Sequence, residues 1–421
     1  MLLAAGFFLL WLLVIAILLA SKRVLLRNTW NEPYVSEAAI LIESDDWGPG
    51  ERYHAERLDG LSRMLAKHTD TYGRPAVMTA DMILAVPDLL AVQAAGNGGY
   101  FRRYLDDGFM DILGVIHRSF EEGTIVPQLH GIEHYYGKGL IKLFQSGDSR
   151  VNKVFYSQNW TDWESLDSPL QGHYVDGTKL PTVALSRTER EELVAAACTA
   201  FMRLFNMPSK STVAPCYLWD DEVENIWAAH GIRYIQTAGY RCPGRDAAGN
   251  YIQDMQLIRP GQQNAHGQYY LVRNSMYEPV DARSEDTCIN EAYKAIRQGL
   301  PVTVSTHRYN YTRTDDEYRR SVRGLDTLLT TLESNNPVIR YLSSPELGAW
   351  IADEPNPLTD PASGKNWPSL TAQTGTKKFS SFLYRLWYRH TKLRIIATAS
   401  GLVIPFYFFV LLAGPKFRRT H

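Results

Sequence analysis

The chain has 421 residues, with 44 basic against 45 acidic side chains, and 45% of its residues are hydrophobic. That is too apolar for a disordered chain, and a formal charge of −1 excludes a general electrostatic affinity for nucleic acid. Both ends are strongly apolar, which excludes a purely soluble reading.

The first element in chain order is Leu2–Ala20, uncharged and close to the ~20 residues that a bilayer-crossing helix needs. It lacks the basic n-region of a signal peptide and reads as an uncleaved span at residues 2–20. From about Val35 to Ala352, short apolar runs alternate with helical stretches. Ala38–Ile42 predicts a buried strand and Ala55–Lys67 a helix. Further strands are expected at Ala76–Thr79, Thr124–Leu129, Ser211–Pro215, Arg233–Thr237, Tyr269–Val272, Val302–Ser305 and Ile339–Leu342. A capping box of Thr188 with Glu191 predicts a helix running through Leu204. A second helix begins at Asp220/Asp221 and stops at Gly231. The alternation predicts one α/β domain over residues 35–352 with a parallel sheet, either a barrel or doubly wound.

Tyr135–Pro181 breaks the alternation, since it is long and rich in aromatics such as Phe155, Tyr156, Trp160 and Trp163. A loop of that length inside a compact domain is usually functional or disordered; its aromatics argue against disorder, and it would line a site or form a small satellite core. Residues 353–378, with Pro355, Pro357, Pro361 and Pro368, read as a linker. In residues 379–390, Phe379, Phe382, Leu383, Leu386 and Trp387 recur at helical spacing. Such a helix lies at an interface between water and lipid or packs on the protein's own body. Residues 395–414 are again uncharged and read as a second span.

Charge bears on orientation. Lys22, Arg23 and Arg27 follow the first span, and Lys377, Lys378, Arg385, Arg389, Lys392 and Arg394 precede the second. Lys416, Arg418 and Arg419 lie beyond it. The positive-inside bias places the central domain on the cytoplasmic side of a cell (inner) membrane. Cys198, Cys216, Cys242 and Cys288 are widely spaced and predict neither a disulfide framework nor a zinc ribbon.

Titratable residues gather at the downstream ends of the predicted strands, where parallel α/β folds build their sites. The first strand ends in Glu43-Ser44-Asp45-Asp46-Trp47-Gly48, the strand near Thr124 in His130-Gly131-Ile132-Glu133-His134, and the strand near Thr303 at His307. Two imidazoles and a carboxylate suit a borderline cation such as zinc, and a second carboxylate with a third histidine offers an acid/base pair. His54, His68, His117, His173, His230 and His266 lack such partners and read as structural.

In that order the motifs resemble the polysaccharide deacetylase family (carbohydrate esterase family four). Ser44-Asp45-Asp46-Trp47-Gly48 is similar to its T-F-D-D-G motif, and His130 to His134 to its H-[S/T]-x-x-H motif. Ser305-Thr306-His307 is similar to its late L-x-H, and Ala214-Pro215-Cys216-Tyr217 sits where the family has Arg-x-Pro-Tyr. The resemblance implies a deacetylase-type distorted (β/α)7 barrel, here flanked by N- and C-terminal transmembrane helices. It implies a divalent metal ion, Zn²⁺ by ligand type, on Asp46, His130 and His134. Asp45 would be the base and His307 the acid for hydrolysis of an N-acetyl amide on a glycan. Trp47, Cys216, Tyr217 and Arg273 would serve substrate or oxyanion, with a backbone N–H near Cys216/Tyr217 facing the oxyanion. Three departures stand out: Trp47 precedes Gly48, Gly131 replaces Ser/Thr, and the groove motif lacks its arginine. Arg273, at another strand end, is the candidate replacement. The adjacent Asp45 and Asp46 would point to opposite sides of a flat strand, so the chain must bend, and Gly48 and Pro49 suit a bend.

The implied partners are a glycan or lipid-linked sugar, the membrane, and a polysaccharide synthase or glycosyltransferase. Three other readings compete. His130-Gly-Ile-Glu133-His134 fits the H-x-x-E-H zinc protease pattern, which belongs on a helix. A glycosidase would use carboxylates such as Glu43 and Asp45 and leave the histidines idle. A non-enzymatic barrel scaffold in a polysaccharide-synthesis complex would not need the Asp/His set.

Overall fold

Nine strands form one sheet. They are β1 (Ala38–Trp47), β2 (Met78–Met82), β3 (Ile125–Leu129), β4 (Ser211–Val213), β5 (Tyr234–Thr237), β6 (Tyr269–Val272), β7 (Ser275–Met276), β8 (Val302–His307) and β9 (Ile339–Leu342). The computed structural model describes residues 2–96, 99–151, 164, 166–358, 375–389, 391–399 and 401–413. All pairings within this sheet are parallel, so the predicted parallel α/β layout is the one observed.

The order of strands is β6-β5-β4-β3-β2-β1-β8-β7, and β9 also pairs with the start of β1. β6 and β7 are parts of one run of chain, separated only by Arg273 and Asn274. The first part pairs with β5 and the second with β8, so the sheet curls round until its two ends meet in that run. Asn274 closes the seam: its N–H donates to the Thr303 carbonyl at 3.2 Å, and its Oδ1 accepts from the Thr303 N–H at 3.0 Å.

A parallel sheet covered on both faces needs strands without a polar side, and all ten residues of β1 are buried. Helices Arg52–Leu65, Met110–Glu121, Arg187–Phe205, Glu285–Arg297 and Asp315–Asn335 supply the cover. Leu58, Leu61 and Leu65 on the first of these are fully buried, each contributing about 1.5–3 kcal/mol by burial. The capping box is displaced from its expected place. Ser186 and Glu189 form it, two residues before Thr188 and Glu191, because Ser186 has the extended backbone that an N-cap requires.

Tyr135–Pro181 is not a continuous loop. It contains a helix at Gly137–Gln145 and one strand of the hairpin Val175–Asp176/Val183–Ala184. Residues 152–163, including Phe155, Tyr156, Trp160 and Trp163, lie outside the described residues, as does most of the expected linker at 353–378.

The ends of the chain form a separate apolar bundle. Among the described residues no single helix is long and apolar enough to cross a membrane. The helix Leu2–Ser21 is followed by Arg23–Asn31, and the pair Ala5–Ser21 and Arg23–Asn31, bent by 67°, passes together by length and composition. The stretch expected at 395–414 is broken: helices Thr391–Ala399 and Val403–Ala413 meet at a turn where Gly401 has φ +72°. The helix expected at 379–390 runs over Gly375–Arg389 and packs on the protein's own body. Phe382, Leu383 and Leu386 are buried against Leu18, Leu25 and Phe406. Ser381 Oγ donates to the Gln298 carbonyl at 2.6 Å, and Arg385 pairs with Glu32. Outward-facing side chains of the bundle remain apolar, with Phe7 71% and Leu412 85% exposed.

Candidate active site

The downstream ends of β1, β3, β4 and β8 meet round a pocket of about 230 Å³. Asp45, Asp46, His130, His134, Tyr217 and His307 all line it, so most of the residues singled out from the sequence come together. Trp47 does not join them. It is fully buried, donates from Nε1 to Ser44 Oγ at 2.9 Å, and stacks on Tyr311. The inserted tryptophan is a core residue beneath the turn.

Both aspartates reach the pocket because β1 is bulged. Ser44 pairs with Ala80 and Trp47 with Met82, so β1 spends one residue more than β2 over this step. The irregularity falls at Asp46, whose φ is +74°, a left-handed conformation that aspartate tolerates better than most residues. The bend that the sequence placed at Gly48 and Pro49 therefore lies at the aspartate itself.

Asp46, His130 and His134 have ligand atoms within 4.8 Å of one another, and all three are buried. Asp46 Oδ1 is 3.2 Å from His130 Nε2 and 3.4 Å from His134 Nε2. The Nδ1 of His130 is 2.9 Å from the Val213 carbonyl, an acceptor, so Nδ1 carries the proton and Nε2 offers a lone pair. Asp46 Oδ1 is buried with no hydrogen-bond donor among the described residues. An oxygen and a neutral imidazole nitrogen at that separation repel unless a cation lies between them, and the donor set suits a divalent ion. Burial pushes His134 down to about 4, so it too is neutral at ordinary pH.

Asp45 is bound from the other side. Arg273 Nη2 donates to Asp45 Oδ1 at 2.6 Å and Nη1 to Oδ2 at 2.7 Å. Arg273 Nε donates to Glu43 Oε2 at 2.7 Å, and further N–H groups reach Tyr217 Oη at 2.9 Å and Gln236 Oε1 at 3.0 Å. The arginine that the groove motif lacks is thus matched by one from the β6–β7 junction. Burial would raise the Asp45 pKa, but the adjacent guanidinium reverses the effect and brings it down to about 2. Asp81 completes the cluster at 3.5 Å from Arg273. Burial first, then the Asp45 charge, pushes Asp81 well above the ordinary carboxyl range, and burial raises Glu43 as well. One guanidinium cannot neutralise three carboxylates, so the cluster keeps Asp45 ionised at the expense of the other two.

His307 faces Asp45 Oδ2 at 3.7 Å. Its Nδ1 is 2.6 Å from Glu278 Oε1. Glu278 is itself held by Tyr309 Oη at 3.1 Å and by Asn310 Nδ2. Burial lowers the His307 pKa, but the Glu278 charge and hydrogen bond overcome it and raise it to about 10. Sequence reasoning missed Glu278, although a carboxylate just past the end of β7 was the available signal.

Cys216 and Tyr217 form a tight turn after β4, with φ of +55° and +54°. The Tyr217 N–H is spent on the Ala214 carbonyl at 2.9 Å. That leaves the Cys216 N–H as the amide of this turn without a backbone acceptor among the described residues. Glu133, the base in the protease reading, is fully buried away from the pocket and bound to Arg102 at 2.9 Å and to Tyr100. Gly131 has φ +93°, and a Cβ there would lie 3.1 Å from the Glu133 carbonyl oxygen, which accounts for glycine where Ser/Thr was expected.

No family model and no curated protein matches the chain. Among solved structures it is similar to a 4-α-glucanotransferase from Thermococcus litoralis, at 8% identity and a TM-score of 0.39 over 74% of this chain and 40% of that one. It is similar to the peptidoglycan deacetylase PdaC from Bacillus subtilis, at 11% identity and a TM-score of 0.33, over 74% and 89%. It is also similar to a CE4 family pseudoenzyme from Bacillus anthracis, at 10% identity and a TM-score of 0.32, over 71% and 61%. The chain resembles the polysaccharide deacetylases of carbohydrate esterase family four in the type and order of its strand-end residues.

Proposed function

We propose that the protein is a metal-dependent deacetylase that hydrolyses N-acetyl groups on a glycan or lipid-linked sugar, on a deacetylase-type distorted (β/α)7 barrel. The observation that carries this reading is the convergence of Asp46, His130 and His134, whose ligand atoms lie within 4.8 Å of one another, beside an aspartate clamped by arginine. Asp46, His130 and His134 would hold the ion, Zn²⁺ by ligand type. When bound, a divalent ion there supplies Lewis acidity, which compensates for the low basicity of Asp45.

The protein's own groups do the rest. Arg273 fixes both oxygens of Asp45, so that this carboxylate takes a proton from water in one orientation. The Cys216 N–H stabilises negative charge on the former carbonyl oxygen of the acetamide. His307, protonated through Glu278, gives its proton to the departing sugar amine.

The apolar ends and their basic flanks support attachment to the cell membrane, with the catalytic domain on the cytoplasmic side and a synthase or glycosyltransferase as neighbour. Acetate release from an N-acetylglucosamine oligomer by the full chain, with and without added zinc, tests the function. Turnover that needs the ion and vanishes in Asp45→Asn supports it; turnover that survives Asp45→Asn rejects the base. Fusion of reporters to each terminus tests the orientation.

A further inference from the structure

One wall of the pocket comes from none of the strand ends. Glu164, from the aromatic segment between β3 and β4, lines it beside Asp46 and His307. The residue that places it is Arg308, fully buried and next in the chain to His307. Arg308 Nε and Nη2 both donate to Glu164 Oε1, at 3.0 and 2.7 Å. Its Nη1 donates to the Pro49 carbonyl and its backbone N–H to the Asp45 carbonyl, each at 3.0 Å. One guanidinium thus ties the segment to the turn after β1 and to the end of β8.

Among the described residues, the donors to this carboxylate all reach Oε1. Glu164 Oε2 has no donor among the described residues, and the side chain keeps 23% of its surface open. Burial raises the carboxyl pKa and the Arg308 charge opposes the rise. A fixed, partly desolvated carboxylate oxygen at a pocket wall accepts a hydrogen bond from a hydroxyl and repels a second carboxylate. The pocket already contains the carboxylates of Asp45 and Asp46, and among the described residues its cationic side chain, His307, is paired with Glu278.

We propose that Glu164 sets sugar specificity: it accepts a hydroxyl of a neutral N-acetylhexosamine and turns away sugars that carry an acidic substituent near the acetamide. This rests on the deacetylase reading, and the experiment separates the two. Acetate release and equilibrium binding by calorimetry are measured for the full chain with N-acetylglucosamine oligomers and with oligomers of equal length containing N-acetylmuramic acid. The wild type is expected to favour the neutral oligomer by about 100-fold in kcat/KM and in affinity. Glu164→Gln keeps an oxygen for Arg308 but loses the charge, and is expected to bring the ratio within about tenfold by improving the acidic substrate. A ratio that does not move in Glu164→Gln, or a wild type that prefers the acidic oligomer, overturns the assignment. If neither oligomer releases acetate, the deacetylase reading fails. The binding ratio then still decides Glu164: a ratio that collapses in Glu164→Gln upholds it, and an unchanged ratio or no binding of either oligomer overturns it.

Discussion

Arg273 holds both carboxylate oxygens of Asp45, at 2.6 and 2.7 Å, from a position 228 residues further along the chain. Two parallel N–H···O bonds fix the plane of a carboxylate, where a single bond would fix only a point. Both side chains are buried and the same guanidinium reaches Glu43, so the contact serves orientation and charge balance together.

Arg273→Lys should separate these two roles. Lysine keeps a positive charge but cannot make the paired contact, so kcat for acetate release should fall about 100-fold with little change in KM. Arg273→Met should also destabilise the fold, by about 3–5 kcal/mol, because Asp45 and Glu43 would stay buried without a counter-charge. Urea unfolding followed by tryptophan fluorescence reads the second effect. A methionine variant as stable as the wild type would contradict it.

Glu278→Gln should move the alkaline limb of the pH–rate profile. The general acid must be protonated, so activity is lost as pH rises through the His307 pKa, which Glu278 holds up at about 10. Removing that charge should shift the limb to lower pH by one unit or more while leaving the acid limb in place. The pair also affects folding. A histidine whose folded pKa is raised contributes stability fully below its unfolded value, roughly 6.5, and loses it as pH climbs to about 10.

Metal should bind to the fold as well as assist the reaction. Zinc at 100 times its dissociation constant should stabilise the full chain by about 2.7 kcal/mol, seen as a rise in Tm. Asp46→Asn and His130→Ala should each abolish that rise and reduce the zinc retained after dialysis. An undiminished rise in both variants would remove these residues as ligands.

His54 should make the protein acid-sensitive above the range in which carboxylates titrate. Burial, followed by the charges of Arg308 and Arg57, drives its pKa down to about 2, so the folded state keeps it neutral. The unfolded chain takes up the proton near pH 6.5, and stability should fall by roughly 1.4 kcal/mol per pH unit below that point. His54→Gln should flatten the slope between pH 6 and 4, as measured by denaturation midpoints. A slope unchanged in the variant would assign the acid response elsewhere.

Much of the site was legible because parallel strands deliver their chemistry to one end. Asp45, Asp46, His130, His134 and His307 all follow apolar runs, and the structure brings them to one pocket. Residues that support them left weaker traces. Glu278 follows a strand of only two residues, Ser275–Met276, too short to show a period. Glu43 was visible at the end of the first strand but not its role, and Asp81 fell beyond the expected strand Ala76–Thr79, since the use of both depends on an arginine distant in sequence. Trp47 was expected at the substrate and is instead a core residue, because exposed and buried tryptophans look alike in sequence. Within the stretch 395–414 the sequence did not show the break, because hydropathy sums side chains and is blind to a backbone turn at Gly401.

The terminal bundle attaches at the upstream end of the sheet, through Glu32 before β1 and Gln298 before β8. The pocket opens at the downstream end. The ten residues of β1 between them span roughly 33 Å at about 3.3 Å per residue. The apolar bundle and the pocket therefore lie towards opposite ends of that strand. On the proposed reading of a membrane-held deacetylase, an acetamide has to extend that far from the anchoring surface to reach Asp45, so the fold would double as a ruler, measuring reach before any sugar is recognised.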